Sequence, residues 1–184
     1  MRIFVAVDLE EEIIKKITSL IEKFGTGGFG INFVKPENLH FTVKFLGEVE
    51  EGRLEEIKEK IEEAVKNIKK FEIEIKGVGF FGSEKFIRVL WIGLEKGKEQ
   101  MIDLIEKINS VLNYIRKDEF RPSPHLTFGR VVSGKNREKL LEVLKKSEKT
   151  DFGKMIVKEI KLKQSVLGKG GPTYSDLAVF KLGD

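Results

Sequence analysis

Cysteine is absent from this chain, histidine occurs twice, and glutamine is confined to Gln100 and Gln164. The missing thiols exclude disulfides, thiolate zinc and iron–sulfur sites, and a thiol nucleophile, leaving side-chain nitrogen and oxygen chemistry. No apolar run approaches the ~18 residues of a membrane span. The opening MRIFVAVDLEEE reads as a first strand rather than a leader, because a short apolar run is followed at once by acids. These features point to a cytoplasmic protein. Proline is scarce, at 4 residues, and no low-complexity linker divides the 184 residues, so the chain suits one compact domain or two small interlocked lobes. The glycine-rich Gly25-Thr-Gly-Gly-Phe-Gly30 follows a helix and lacks the Gly-Lys-Ser/Thr ending of a nucleotide loop, so it reads as a flap beside a site.

Charge, by contrast, is abundant: 35% of residues are charged and the net charge is +4. The Lys/Glu bias resembles heat-adapted surfaces rich in ion-pair networks. A mildly basic balance favours an anionic ligand without marking a long nucleic-acid groove.

The two histidines head matching tetrapeptides, His40-Phe41-Thr42-Val43 and His125-Leu126-Thr127-Phe128. With 6 threonines in the chain, chance alone would place Thr at +2 from both histidines roughly once in a thousand such sequences, so the pair reads as a repeat. In a strand, alternate side chains share a face. Each motif therefore sets an imidazole beside a hydroxyl, with apolar neighbours turned the other way.

The motifs lie 85 residues apart, and the same offset relates neighbouring features. Leu9-Glu10 maps onto Leu94-Glu95, and the strand beginning at Phe71 maps near Ile156. Apolar periodicity predicts strands over 2–9, 39–46, 71–76, 86–94, 125–132, 155–166 and 175–182. It predicts helices over about 10–25, 53–69, 97–115 and 136–148. Phe80 to Ser83 reads as a turn. Both halves, about 1–85 and 86–184, then run strand, helix, motif strand, helix, strand, as a tandem duplication would.

Two opposed imidazoles suit acid/base chemistry, since an ordinary His pKa of ~6.5 lets one ring be neutral while the other is charged. In-line displacement at phosphorus uses such a pair, and threonine hydroxyls can bond the non-bridging oxygens. A 2′,3′-cyclic phosphate fits this machinery, and no metal or other cofactor is implied. Strand parity puts Lys44 on the His40 face as an anion ligand. Arg130 has the wrong parity relative to His125 and reaches the site only through a bulge or the strand's end. Phe4, Phe80, Phe81 and Tyr174 are candidate base-stacking surfaces. Which histidine donates a proton and which accepts one stays open at this level.

His40-Phe-Thr-Val-Lys-Phe-Leu-Gly and Pro124-His-Leu-Thr-Phe-Gly-Arg, with the opening Met-Arg-Ile-Phe-Val-Ala, resemble the two-histidine phosphoesterase superfamily, specifically its RNA 2′,3′-cyclic phosphodiesterase group, also called 2′-5′ RNA ligase. The resemblance spans the chain. It implies a bilobal α+β fold, with two antiparallel sheets facing a central cleft and helices outside. It implies opening of terminal 2′,3′-cyclic phosphates on RNA to 2′-phosphomonoesters, with His40 matching the proton donor and His125 the proton acceptor. Two other activities remain in play: joining of tRNA-half-like ends through a 2′-5′ bond, and binding of RNA ends without turnover. Neither a membrane nor an obligate protein partner is expected.

Overall fold

In the computed structural model, which describes residues 1–118 and 121–184, alternating apolar residues build two antiparallel sheets. β1 (Arg2–Asp8) is central in the first sheet because Ile3, Phe4, Val5, Ala6 and Val7 are all buried, which suits a strand covered on both faces. It is flanked by β3 (His40–Glu48) and β8 (Glu159–Gly168), and β9 (Gly171–Lys181) follows β8. The second sheet runs β2 (Ile31–Phe33), β6 (Leu126–Val131), β5 (Phe86–Lys96), β4 (Phe71–Ser83), β7 (Asp151–Val157). Each sheet thus takes strands from both halves of the chain.

Four amphipathic helices pack on these sheets. α1 (Glu11–Gly25) buries Ile13, Ile17, Leu20 and Phe24, spaced to form one stripe. Phe24 meets Phe128 of β6 edge-on at 5.5 Å. α2 (Leu54–Val65) and α3 (Lys98–Leu112) pack together and against β9 and β3, while α4 (Arg137–Ser147) lies against β4. No described helix is long and apolar enough to cross a membrane.

Two expectations need correction, and one strand has no counterpart in the sequence reading. The strand expected over 155–166 is two strands: β7 joins the second sheet and β8 the first, with Lys158 between them. The buried positions change phase there, from Met155 and Val157 to Ile160 and Leu162 across the polar pair Lys158-Glu159, and that break is the local mark of the change of sheet. The turn expected at 80–83 is strand, because β4 continues to Ser83 and pairs with β5; the reversal falls at Glu84-Lys85, where Ser83 Oγ accepts the Phe86 N–H at 3.2 Å. β2, three residues long, is too short to show a period.

The 85-residue offset reappears in the pairing registers. Ala6 pairs with Thr42 and Val5 with Lys44, skipping Val43. Trp91 pairs with Thr127 and Leu90 with Gly129, skipping Phe128. Both motif strands therefore carry a β-bulge at the same place, and a bulge inverts the facing of every later residue.

Candidate active site

The bulges decide which side chains reach the site. Before the bulge, His40 and Thr42 face one side of β3 while Phe41 is buried on the other. After it, Lys44 joins Val43 on the buried side, and Phe45 takes the open face. The expectation that Lys44 shares the His40 face is therefore corrected. Its side chain is fully buried, with Nζ 2.5 Å from Asp118 Oδ2 and 3.2 Å from Asn109 Oδ1 of α3. The matching bulge in β6 buries Gly129 and brings Arg130 round to the open face beside Thr127.

A cavity of about 920 Å³ collects His40, Thr42, Thr127, Arg130, Phe4 and Tyr174 from the two sheets. Phe4 lies 5.0 Å from the His40 ring, and Tyr174 meets that ring edge-on at 5.6 Å. His125, two residues before Thr127, borders a second cavity of about 840 Å³ that also exposes Phe80, Phe81 and Trp91. Phe81 meets the His125 ring edge-on at 4.8 Å. Gly79 is required here, since a Cβ at that position would sit 2.4 Å from the Trp91 indole.

The two imidazoles are held alike. Nδ1 of His40 is 2.7 Å from the Asn38 carbonyl oxygen, and Nδ1 of His125 is 2.7 Å from the Ser123 carbonyl oxygen, each two residues back. A carbonyl only accepts, so Nδ1–H donates in both rings, and Nε2 is the nitrogen left to exchange protons. His40 Nε2 lies 3.0 Å from Thr42 Oγ1, which donates to the neutral ring and accepts from the charged one. Burial pulls the His40 pKa below its ordinary 6.5, aided by the Lys163 charge and opposed by the Asn38 carbonyl bond and by Asp8.

Sequence reasoning missed the charged group beside His40. Asp8, directly across from His40 on β1, bonds Lys161 and Lys163, each at 3.0 Å, and the same lysines bond Asp176 at 2.9 and 2.7 Å. Burial raises the Asp176 pKa, but bonds from Lys163 and Lys161 outweigh it and leave the carboxyl below its usual range. Asp8 comes from β1 and the other three from the β8–β9 hairpin near the opposite end of the chain, so no local motif announces the group. Among the described residues, no cluster of three His, Asp or Glu side chains forms a metal-ligand group.

Comparison with known proteins places the chain in a family. The family described as LigT like Phosphoesterase matches residues 7–91. The chain is 38% identical over 186 residues to the Methanothermobacter thermautotrophicus protein named RNA 2′,3′-cyclic phosphodiesterase, covering 99% of each chain. It is 40% identical over 185 residues to the Archaeoglobus fulgidus protein of the same name, covering 98% of this chain and 100% of that one. A Thermus thermophilus crystal structure matches with a TM-score of 0.84 and 26% identity, covering 99% of this chain and 98% of that one. Escherichia coli LigT, 23% identical and covered to 98% over 100% of this chain, shares the fold at a TM-score of 0.80. The chain belongs to the LigT-like phosphoesterases of the two-histidine phosphoesterase superfamily.

Proposed function

We propose that this protein opens the 2′,3′-cyclic phosphate at RNA termini to a 2′-phosphomonoester. The observation that carries the proposal is the doubled site: two imidazoles, each with Nδ1 tied to a carbonyl two residues back and Nε2 left for proton transfer, on strands with the same bulge. Near-full-length relatives named RNA 2′,3′-cyclic phosphodiesterase support it.

In this reading His125 takes a proton from the attacking water as its oxygen bonds phosphorus, and His40 protonates the ribose O3′ as the O3′–P bond breaks. Thr42, Thr127 and the Arg130 guanidinium hold the non-bridging oxygens, where charge accumulates in the transition state. Phe4 and Tyr174 offer aromatic surface to the terminal nucleoside. The donor role needs a charged His40, whereas burial favours the neutral ring in the free protein; a bound phosphate anion supplies the opposite bias. The shared 85-residue offset supports reading the chain as one two-lobed domain with an internal duplication.

Mass spectrometry of the product from a 2′,3′-cyclic-phosphate oligonucleotide, with EDTA present, together with ³¹P NMR to tell the 2′-phosphate from the 3′-phosphate of equal mass, tests the proposal. Addition of one water and retention of phosphate on O2′ is expected; a 3′-phosphate product, or recovery of intact cyclic ends, overturns it. NMR titration tests the donor assignment. His40 is expected to titrate below 6.5 in the free protein, losing its proton as pH rises through that lower value, and to move upward when a 2′-nucleotide binds. A titration that ignores the nucleotide removes His40 as the donor.

A further inference from the structure

The cavity at His40 is much larger than a single phosphoryl group needs, and its charge is one-sided. Besides Arg130, it is lined by Arg2 at the start of β1, Lys35 ahead of β3, and Lys169 at the tip of the β8–β9 hairpin. Among the described residues that line it none is acidic, although Asp and Glu make up 30 of the 184 residues. The cavity at His125 is the internal comparison: there Lys76, Lys98 and Lys145 are balanced by Glu84, Glu142 and Glu148.

Among the described residues, Arg2, Lys35 and Lys169 form no ion pair, whereas Lys161 and Lys163 each bond two carboxylates. These three cations come from segments distant in sequence and are gathered by the fold. The Lys35 ammonium lies 3.6 Å from the position a Cβ would take at Gly170, against the hairpin tip. Asn38 Nδ2 donates to the Pro172 carbonyl at 2.9 Å and ties the hairpin to the segment that positions His40. Arg2 lies over the Phe45 ring, 5.0 Å from its centroid, which keeps its charge on the cavity wall.

Like charges gathered without acids repel one another and focus potential that attracts an anion. The terminal phosphate is already provided for by the two histidines and Arg130, so the surplus cations require further anionic groups. We infer that this acid-free trough holds the backbone phosphodiesters on the 5′ side of the cyclic end, so that Arg2, Lys35 and Lys169 make the enzyme selective for oligonucleotides over mononucleotides. The inference rests on the function proposed above.

The test compares a 2′,3′-cyclic mononucleotide with a pentanucleotide carrying the same end. In the wild-type protein, KM for the pentanucleotide is expected to be at least about 10-fold lower at low salt, and to rise by about 0.7 logarithmic units per phosphate contact for each tenfold increase in salt. Combined Arg2→Ala, Lys35→Ala and Lys169→Ala substitutions are expected to bring the pentanucleotide KM towards the mononucleotide value and to lower the salt slope by about 2. Mononucleotide kcat and KM report both folding and the core reaction, and are expected to stay unchanged. Equal KM values for the two substrates, an unaltered salt slope in the triple variant, or an equal loss with the mononucleotide each overturns the inference. Failure of the wild-type protein to turn over either substrate counts instead against the proposed function.

Discussion

His40→Ala and His125→Ala are each expected to lower kcat for a 2′,3′-cyclic nucleotide by about 10²- to 10⁴-fold, the range for removing a positioned acid or base. The loss should fall on kcat more than on KM, since Thr42, Thr127, Arg130 and the aromatic wall remain to bind the ground state. In the proposed mechanism the two rings serve one displacement, so the double variant should lose far less than the product of the single losses. Folding is expected to be spared: neither ring is fully buried, and removing the His40 imidazole vacates space beside Phe4 and Tyr174 without stranding a buried charge. Circular dichroism with single-turnover kinetics checks both parts. Turnover within 3-fold of wild type in either folded variant would remove that histidine from the mechanism. Rates below this range, with native spectra, would show the ring also positions substrate.

The second large effect concerns stability. Asp118→Ala leaves the buried Lys44 ammonium with Asn109 Oδ1 as its remaining hydrogen-bond partner among the described residues. Removing one member of a fully buried ion pair costs about 3–5 kcal/mol. The Asp118 side chain is 37% exposed, and water screens part of the loss, so about 2–3 kcal/mol is expected. For a chain of this length that corresponds to a fall in Tm of roughly 4–12 °C. Lys44→Met removes the buried charge along with its need for a partner, and should cost less, about 1–1.5 kcal/mol. Both variants are expected to retain kcat and KM within about 2-fold, because neither group lines the cavity at His40. Thermal melts and steady-state kinetics decide the matter. A folded Lys44→Met protein with a tenfold higher KM would return Lys44 to the substrate-binding site, where strand parity alone puts it.

Lys44 and Arg130 show where local reading fails. Period-two alternation is a sound guide along a regular strand, and it pairs His40 with Thr42 and His125 with Thr127. It breaks where one extra residue is inserted opposite the neighbouring strand, at Val43 and at Phe128, and that insertion belongs to a pairing between segments far apart in the sequence. Phe45 escapes a local reading for the same reason, because it owes its place on the open face to the bulge. At the β7–β8 junction the alternation does break, at Lys158-Glu159, but which sheet each strand joins is decided by the partners, β4 for one strand and β1 for the other.

The sequence by itself determined the chemistry available: no thiols, two histidines each two residues ahead of a threonine, and repeated amphipathic segments at a fixed offset. Those are properties of residue type and spacing, and they suffice for the doubled motif and for the α+β class. Only the tertiary structure decided which charges face the ligand. The bulges turned Lys44 inward and Arg130 outward, strand pairing set Asp8 across from His40 with Lys161, Lys163 and Asp176 around it, and the hairpin carried Lys169 to Lys35 and Arg2. Facing and electrostatics depend on register between distant segments, and register is fixed when the sheets assemble.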